Sequence, residues 1–316
     1  VPFRVNHNLL ILALSLSGIV SCHSTPDAQS PLLEIIHRSS PDFIEVAGHN
    51  IAYMEDGQGD PLVLIHGFGG SMWNWEYQYK GLAASYHVIV LDILGSGMSD
   101  KPDIPYTPKR LVNFFEGFLD SLNIQRATLI GNSMGAGLAM AMALTVPDRV
   151  NSLVLISGFP QDPRASVDSP HYQQFINRRP PLWLAKFGNW ISGRWATKIL
   201  LEEIIHDQRL ITPVVVERSY QNRHSSGFLP PLYSLMDNME QWNEEYGSRL
   251  NNIQHPTLII WGAEDRVFPL SVGQQLEETI PHASFAVVPE AGHLPQWEQP
   301  SQVNALITEF LSRFSS

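Results

Sequence analysis

The sequence predicts an α/β protein: a mostly parallel, eight-stranded sheet with helices on both faces and a helical cap inserted late in the chain. Three observations lead there. Short β-rich apolar runs alternate with helix-length segments, the alternation lapses between about Phe159 and Pro256, and helical rather than strand periodicity fills the lapse. Strand and helix alternating in this way is the pattern of parallel strands whose crossovers cover the sheet.

Taken in order, the chain opens with Arg4 ahead of an apolar run from Leu9 to Val20, closed by the small residues Ser21 and Cys22. That is the order of a secretory signal. As a helix the run would reach only about 18 Å, short of the roughly 30 Å hydrocarbon core, so a spanning helix is disfavoured. Ile19-Val20-Ser21-Cys22 resembles the lipobox of bacterial lipoproteins, which implies that residues 1–22 are a signal segment and that Cys22 becomes the lipidated tether to the cell envelope. Ordinary export to the periplasm or medium is the alternative, and a cytosolic protein with a misread start is the third reading. Residues 23–42, rich in Ser, Pro, Asp and Gln, are expected to be a linker.

The body begins near Phe43. Phe43 to Val46 and Asn50 to Met54 flank Gly48 as two strands of a hairpin, and Asp56 to Asp60 turns the chain. Leu62 to Ile65, Val88 to Leu91, Ala127 to Ile130 and Leu153 to Ile156 are runs of the kind buried parallel strands require. Between them, Arg110 to Leu122 places Leu111, Phe114, Phe115, Phe118 and Leu122 on one helical face, and Met134 to Thr145 is a small-residue helix stopped by Pro147. Thr257 to Trp261, Ser271 to Ile280 and Ser284 to Val288 restore strand, helix and strand, and Val303 to Phe314 closes the chain as a helix packed on the core. Residues 43–159 and 253–316 are therefore assigned to the core and 160–252 to the cap. Trp183 to Trp190, Ala196 to Ile205 and Pro213 to Gln221 are its clearest helices. Its aromatics Trp183, Phe187, Trp190, Trp195 and Phe228 suggest an apolar pocket, the other reading being that they pack the cap on the body.

Composition narrows the function. The 316 residues carry 44% hydrophobic and 16% charged side chains, enough for a sizeable core. A net charge of −11 without a dense Lys/Arg run excludes the electrostatic footprint of a nucleic-acid binder and argues against broad adhesion to anionic lipid. With Cys22 the one cysteine, no intramolecular disulfide and no Cys-based metal site can form.

The chemistry sits in the loops after the strands. Gly131-Asn132-Ser133-Met134-Gly135 follows one strand and opens a helix. A serine on so sharp a turn is strained and exposed at the sheet's carboxyl edge, the glycines avoid clashes with helix and strand, and the helix start aims N–H groups at developing negative charge. His293, in the loop Pro289-Glu290-Ala291-Gly292-His293, is the candidate base. The acid is Asp265 or its neighbour Glu264, both following Thr257 to Trp261, and only one of two adjacent side chains can face His293. His66-Gly67-Phe68-Gly69-Gly70 supplies a second set of amides, so that the N–H groups of Phe68 and Met134 form the candidate oxyanion hole. His66 itself reads as structural.

A Ser, Asp, His order on this pattern resembles the α/β-hydrolase superfamily from about Phe43 to Phe314, as does Asp92-Ile93-Leu94-Gly95-Ser96-Gly97-Met98-Ser99, a structural loop at the pocket rim. The resemblance favours Asp265 as the acid and implies an acyl-enzyme on carboxylic esters of apolar substrates, with no metal or organic cofactor. Serine at the elbow excludes the dehalogenases and epoxide hydrolases that use Asp there. Gly131 to Gly135 and Gln296-Trp297-Glu298 are also similar to the C–C bond hydrolases that open ring-fission products of aromatic degradation. Trp75 stands where those enzymes carry Asn, and Arg218 lies one residue from their cap arginine. C–C hydrolysis and acyl transfer to an alcohol are therefore the alternatives to ester hydrolysis, with a non-enzymatic scaffold of the same fold as the reading from a different class.

Overall fold

The hairpin forms as β1 (Asp42–Val46) and β2 (His49–Asp56), turned through Ala47 and Gly48, both at positive φ. The computed structural model describes residues 40–314, so the expected signal segment, Cys22 and nearly all of the expected linker lie outside the described residues. β3 (Pro61–Ile65), β4 (His87–Leu91), β5 (Ala127–Asn132), β6 (Val150–Ile156), β7 (Thr257–Gly262) and β8 (Ala283–Val288) complete one sheet. Its order is β1-β2-β4-β3-β5-β6-β7-β8, with β1 and β2 antiparallel and every pair from β4 to β8 parallel. This is the expected eight-stranded α/β-hydrolase architecture.

The central strands are mainly apolar because helices cover both their faces. On one side α2 (Pro108–Ser121) and α3 (Met134–Thr145) pack Phe115, Phe118 and Met140 against Leu129 and Leu153; on the other, α1 (Glu76–Leu82) and the last helix (Pro300–Ser312) pack Leu82, Val303 and Ile307 against Leu64 and Ile260. α3 is apolar all round, and nine of its residues are buried. Its small side chains bring its backbone close to the sheet.

Between β6 and β7 the chain forms α4 (Pro163–Ser166), α5 (Pro170–Arg178), α6 (Leu182–Ile191), α7 (Arg194–Ile204), α8 (Pro213–Arg223), α9 (Leu229–Asp237) and α10 (Met239–Glu245). A shared device starts α2, α4, α5 and α8: Thr107, Asp162, Ser169 and Thr212 each cap the helix by accepting a first-turn N–H, and proline follows. α11 (Leu270–Thr279) and α12 (Pro295–Glu298) complete the helices.

The cap aromatics depart from both expectations. Trp183, Phe187, Trp190 and Trp195 are exposed, and of the five only Phe228 is buried, beside Gly69. Helical periodicity places residues on one face without saying whether that face turns inward.

Candidate active site

Ser133 sits between β5 and α3 at φ 52° and ψ −120°, a left-handed backbone that costs a non-glycine residue about 1–3 kcal/mol. The surroundings hold it there. Its N–H donates to Ile156 O at 3.0 Å, and its carbonyl accepts from Ala136 N at 2.9 Å and Gly137 N at 3.2 Å. Gly135 is glycine because a Cβ there would run into the carbonyls of Ile65 and His66. The elbow thus depends on α3 lying directly against the end of β3.

His293 is placed by backbone and side chain together. Its Nδ1 lies 2.8 Å from Asp265 Oδ2, its N–H donates to Ile204 O at 2.8 Å, and its carbonyl accepts from Asn132 Nδ2 at 3.1 Å. The same Asn132 amide reaches Ile156 O at 3.2 Å, so the elbow and the histidine loop share one side-chain bridge. Asp265 is oriented by its own loop: Oδ1 accepts from the N–H groups of Val267 at 2.8 Å and Phe268 at 3.1 Å, which leaves Oδ2 for the imidazole. Glu264 points elsewhere, accepting from Ala291 N at 3.1 Å. One acid holds the ring and its neighbour holds the loop.

Glu298 supports that loop from behind. Its Oε1 accepts from Gly292 N at 2.7 Å, and its Oε2 accepts from His206 N at 2.7 Å and Asp207 N at 3.1 Å. Burial pushes this carboxyl above its ordinary value, and the three N–H groups pull the other way.

The loop after β3 lies against the nucleophile. A Cβ on Gly67 would stand 3.1 Å from the Ser133 Cβ, and Phe68 follows directly. Its N–H has no acceptor among the described residues. Met134 opens α3, where an N–H has no intrahelical partner. These are the two amides of the expected oxyanion hole. His66 contributes neither. Buried, with Nε2 accepting from Ile93 N at 3.2 Å and Nδ1 2.8 Å from Gly67 O, it is a neutral imidazole tying two loops, and burial lowers its pKa. Asp92 is also structural, its carboxylate accepting from the N–H groups of Met72 and Met98 at 2.7 Å each.

Two arginines of α8 differ in how they are held. Arg218 forms a bidentate pair with Glu76 at 3.0 and 3.2 Å, lies over the Trp73 ring at 4.1 Å, and shares that carboxylate with Trp297 Nε1 at 2.7 Å. Arg223 hydrogen-bonds neutral groups, Thr197 Oγ1 and Asn189 Oδ1, each at 3.0 Å, and burial pushes its pKa below the usual arginine value. Tyr172 lies within electrostatic range of both Arg223 and Asp265, and its hydroxyl is pushed up to about 12, chiefly by burial. Neither Asn132 nor Arg223 stood out in the sequence. A polar residue ending an apolar strand was the signal for Asn132; Arg223 had none, its partners being remote in the chain. Among the described residues no cluster of His, Cys, Asp or Glu is placed to hold a metal ion.

The sheet order and the serine turn define an α/β hydrolase, and the chain belongs to that family: the family described as alpha/beta hydrolase fold matches residues 60–300. Among its relatives, the 2-hydroxy-6-oxononadienedioate/2-hydroxy-6-oxononatrienedioate hydrolase of Paraburkholderia phymatum is 34% identical over 83% of this chain and 91% of that protein. The structure of the meta-cleavage product hydrolase from Pseudomonas fluorescens IP01 aligns with a TM-score of 0.76 at 28% identity, over 87% of this chain and 99% of that one. A thermophilic esterase from Thermogutta terrifontis aligns with a TM-score of 0.70 at 26% identity, over 88% of this chain and all (100%) of that one.

Proposed function

We propose that the protein is a serine hydrolase that cleaves the carbon–carbon bond beside the ketone of a 2-hydroxy-6-oxo-dienoate. The observation that carries this reading is the 34% identity to a hydrolase named for such a substrate, over 83% of this chain and 91% of that protein. Of the alternatives to ester hydrolysis, the C–C reading gains most from it.

In this reading His293, oriented by Asp265, takes the Ser133 proton as Oγ bonds to the ketone carbon, and the N–H groups of Phe68 and Met134 hold the oxyanion, each worth about 3–4 kcal/mol of barrier. The carbon–carbon bond then breaks. The substrate reacts as its 2-keto tautomer, the hydroxyl proton on carbon 2 having moved to carbon 5; the electron pair of the broken bond then passes through the C3–C4 double bond onto the carbon-2 oxygen, and His293 returns the proton to that dienolate. Water, deprotonated by His293, adds to the acyl-serine, releases the carboxylic acid and restores Ser133. Arg223 takes the substrate carboxylate, since it is a buried cation whose bonds go to neutral groups. Arg218 already has Glu76.

Ester hydrolysis is the second reading, and Trp75 favours it. This fully buried indole occupies the position where C–C hydrolases carry Asn, and an esterase is among the structures the chain resembles. One assay separates the two: kcat/KM on a 2-hydroxy-6-oxo-dienoate measured beside p-nitrophenyl esters of graded acyl length. The C–C reading expects the dienoate to lead by about tenfold or more, a barrier difference of about 1.4 kcal/mol. Esters leading by that margin overturn it.

A further inference from the structure

Of the eleven large apolar side chains most exposed among the described residues, seven lie on the consecutive helices α6 and α7. Trp183, Phe187 and Trp190 recur at i, i+4 and i+7, so they form one stripe, with the rings of Phe187 and Trp190 6.0 Å apart. Beyond Ser192-Gly193, Trp195 and Ile199 repeat the spacing on α7. Trp183 is 71% and Trp190 76% exposed, and no residue of α6 is buried. A surface helix ordinarily turns such a stripe to the core. This one is held the other way round: Asn189, off the stripe, donates from Nδ2 to Arg223 O and accepts at Oδ1 from the Arg223 guanidinium, each at 3.0 Å, and its backbone carbonyl lies 2.7 Å from His224 Nε2.

Charge accumulates along the same stretch of chain. Residues 170–201 contain Arg178, Arg179, Lys186, Arg194 and Lys198 and no Asp or Glu, in a chain of net charge −11. Arg179, Arg194 and Lys198 pair with Asp237, Glu217 and Glu202, while Arg178 and Lys186 are exposed. The acidic balance that discourages lipid contact elsewhere is locally reversed here.

We propose that this cap face seats in the interface of an anionic phospholipid bilayer, with the Trp183, Phe187 and Trp190 rings among the headgroups and Lys186 and Arg178 against lipid phosphate. Indole is the side chain that favours this zone, its ring apolar and its N–H wet, and flanking cations add attraction to anionic lipid. The contact is peripheral, no helix among the described residues being long and apolar enough to cross a membrane. A second copy of the chain fits the face less well, because an isologous contact would set its cations against their own copies. The seating is independent of any lipid on Cys22. It also reaches the reaction site: α7 ends at Ile204, whose carbonyl accepts the His293 N–H at 2.8 Å.

The test uses the full chain carrying Cys22→Ser and Phe187→Cys, with an environment-sensitive fluorophore on the new thiol. On phosphatidylcholine vesicles containing phosphatidylglycerol, the emission shifts to the blue and is quenched by doxyl-labelled lipid; on pure phosphatidylcholine the response is much smaller. Adding Trp183→Ser and Trp190→Ser lowers vesicle partition about tenfold or more with the thermal midpoint unchanged. A silent label on protein that nonetheless sediments with vesicles overturns the proposal by locating the contact elsewhere. So does a blue shift without lipid that tracks dimer formation in sedimentation, which would assign the face to a second copy.

Discussion

At the carboxyl edge of the sheet the ties run through the backbone: Asp265 is turned by two N–H groups of its own loop, the His293 loop is fastened through its own N–H and carbonyl to Ile204 and Asn132, and Ser133 is locked between β6 and α3. In the cap, side chains largely fix side chains: Arg218 on Glu76, Arg223 on Asn189 and Thr197, Arg194 on Glu217. The first arrangement survives most substitutions of its neighbours, since the backbone stays where it is. The second can be rewritten one residue at a time. A fold organised like this keeps its bond-breaking apparatus rigid while recognition and surface contacts change around it.

The edge is the harder half to perturb gently, and its variants carry the largest effects. Ser133→Ala removes the atom to be acylated, and a loss of about 10⁶ in kcat on dienoate and ester alike is expected, with the thermal midpoint held, since alanine keeps the Cβ and with it the backbone strain. Asp265→Asn keeps the shape and removes the charge that sets the imidazole tautomer. Its expected loss is about 10⁴ in kcat with KM nearly constant. Loss of one activity without the other in either variant would break the assignment of both to a single site.

The cap sharpens the comparison through its two arginines. Under the proposed C–C reading, Arg223→Met removes the cation assigned to the substrate carboxylate, a charge-assisted contact worth about 1.5–3 kcal/mol, so KM for a dienoate should rise about 10- to 150-fold while a neutral ester is little affected. Arg218→Met should do the reverse, lowering the thermal midpoint because Glu76 is left buried with Trp297 for a partner, and barely changing the ratio of the two substrates. Exchanged outcomes would move the carboxylate site from Arg223 to Arg218.

The same contrast explains what was legible in the sequence. Strands buried on both faces announce themselves as unbroken apolar runs, and the elbow announces itself because Gly135 has no alternative where α3 meets the carbonyls of β3. Choosing between Glu264 and Asp265 required geometry, since two adjacent carboxylates on one loop differ only in direction. In the cap, α9 opens with Pro230 and Pro231 in its first turn, where prolines are tolerated but read as loop, and α5 and α10 carry few periodic apolar residues. The stripe of α6 was visible as a stripe; its outward direction is set by Asn189, through bonds to residues more than thirty positions away.

The smallest expected effect lies where the two halves touch. Glu298 binds the edge through Gly292 and the cap linker through His206 and Asp207, and burial lifts its carboxyl above the ordinary 4.5. Between 4.5 and the raised folded value, the native state holds more protons than the unfolded chain, so this group's contribution to stability falls as pH rises through that window. Glu298→Gln has no such titration. It gives up one acceptor for three N–H groups, a penalty that is constant with pH, so the variant starts below the wild type and the gap in thermal midpoint narrows as pH climbs from 4.5 upward. A gap that widens instead would mean that the three N–H groups outweigh burial, and that the edge holds the cap linker through a carboxylate charged in every state that matters.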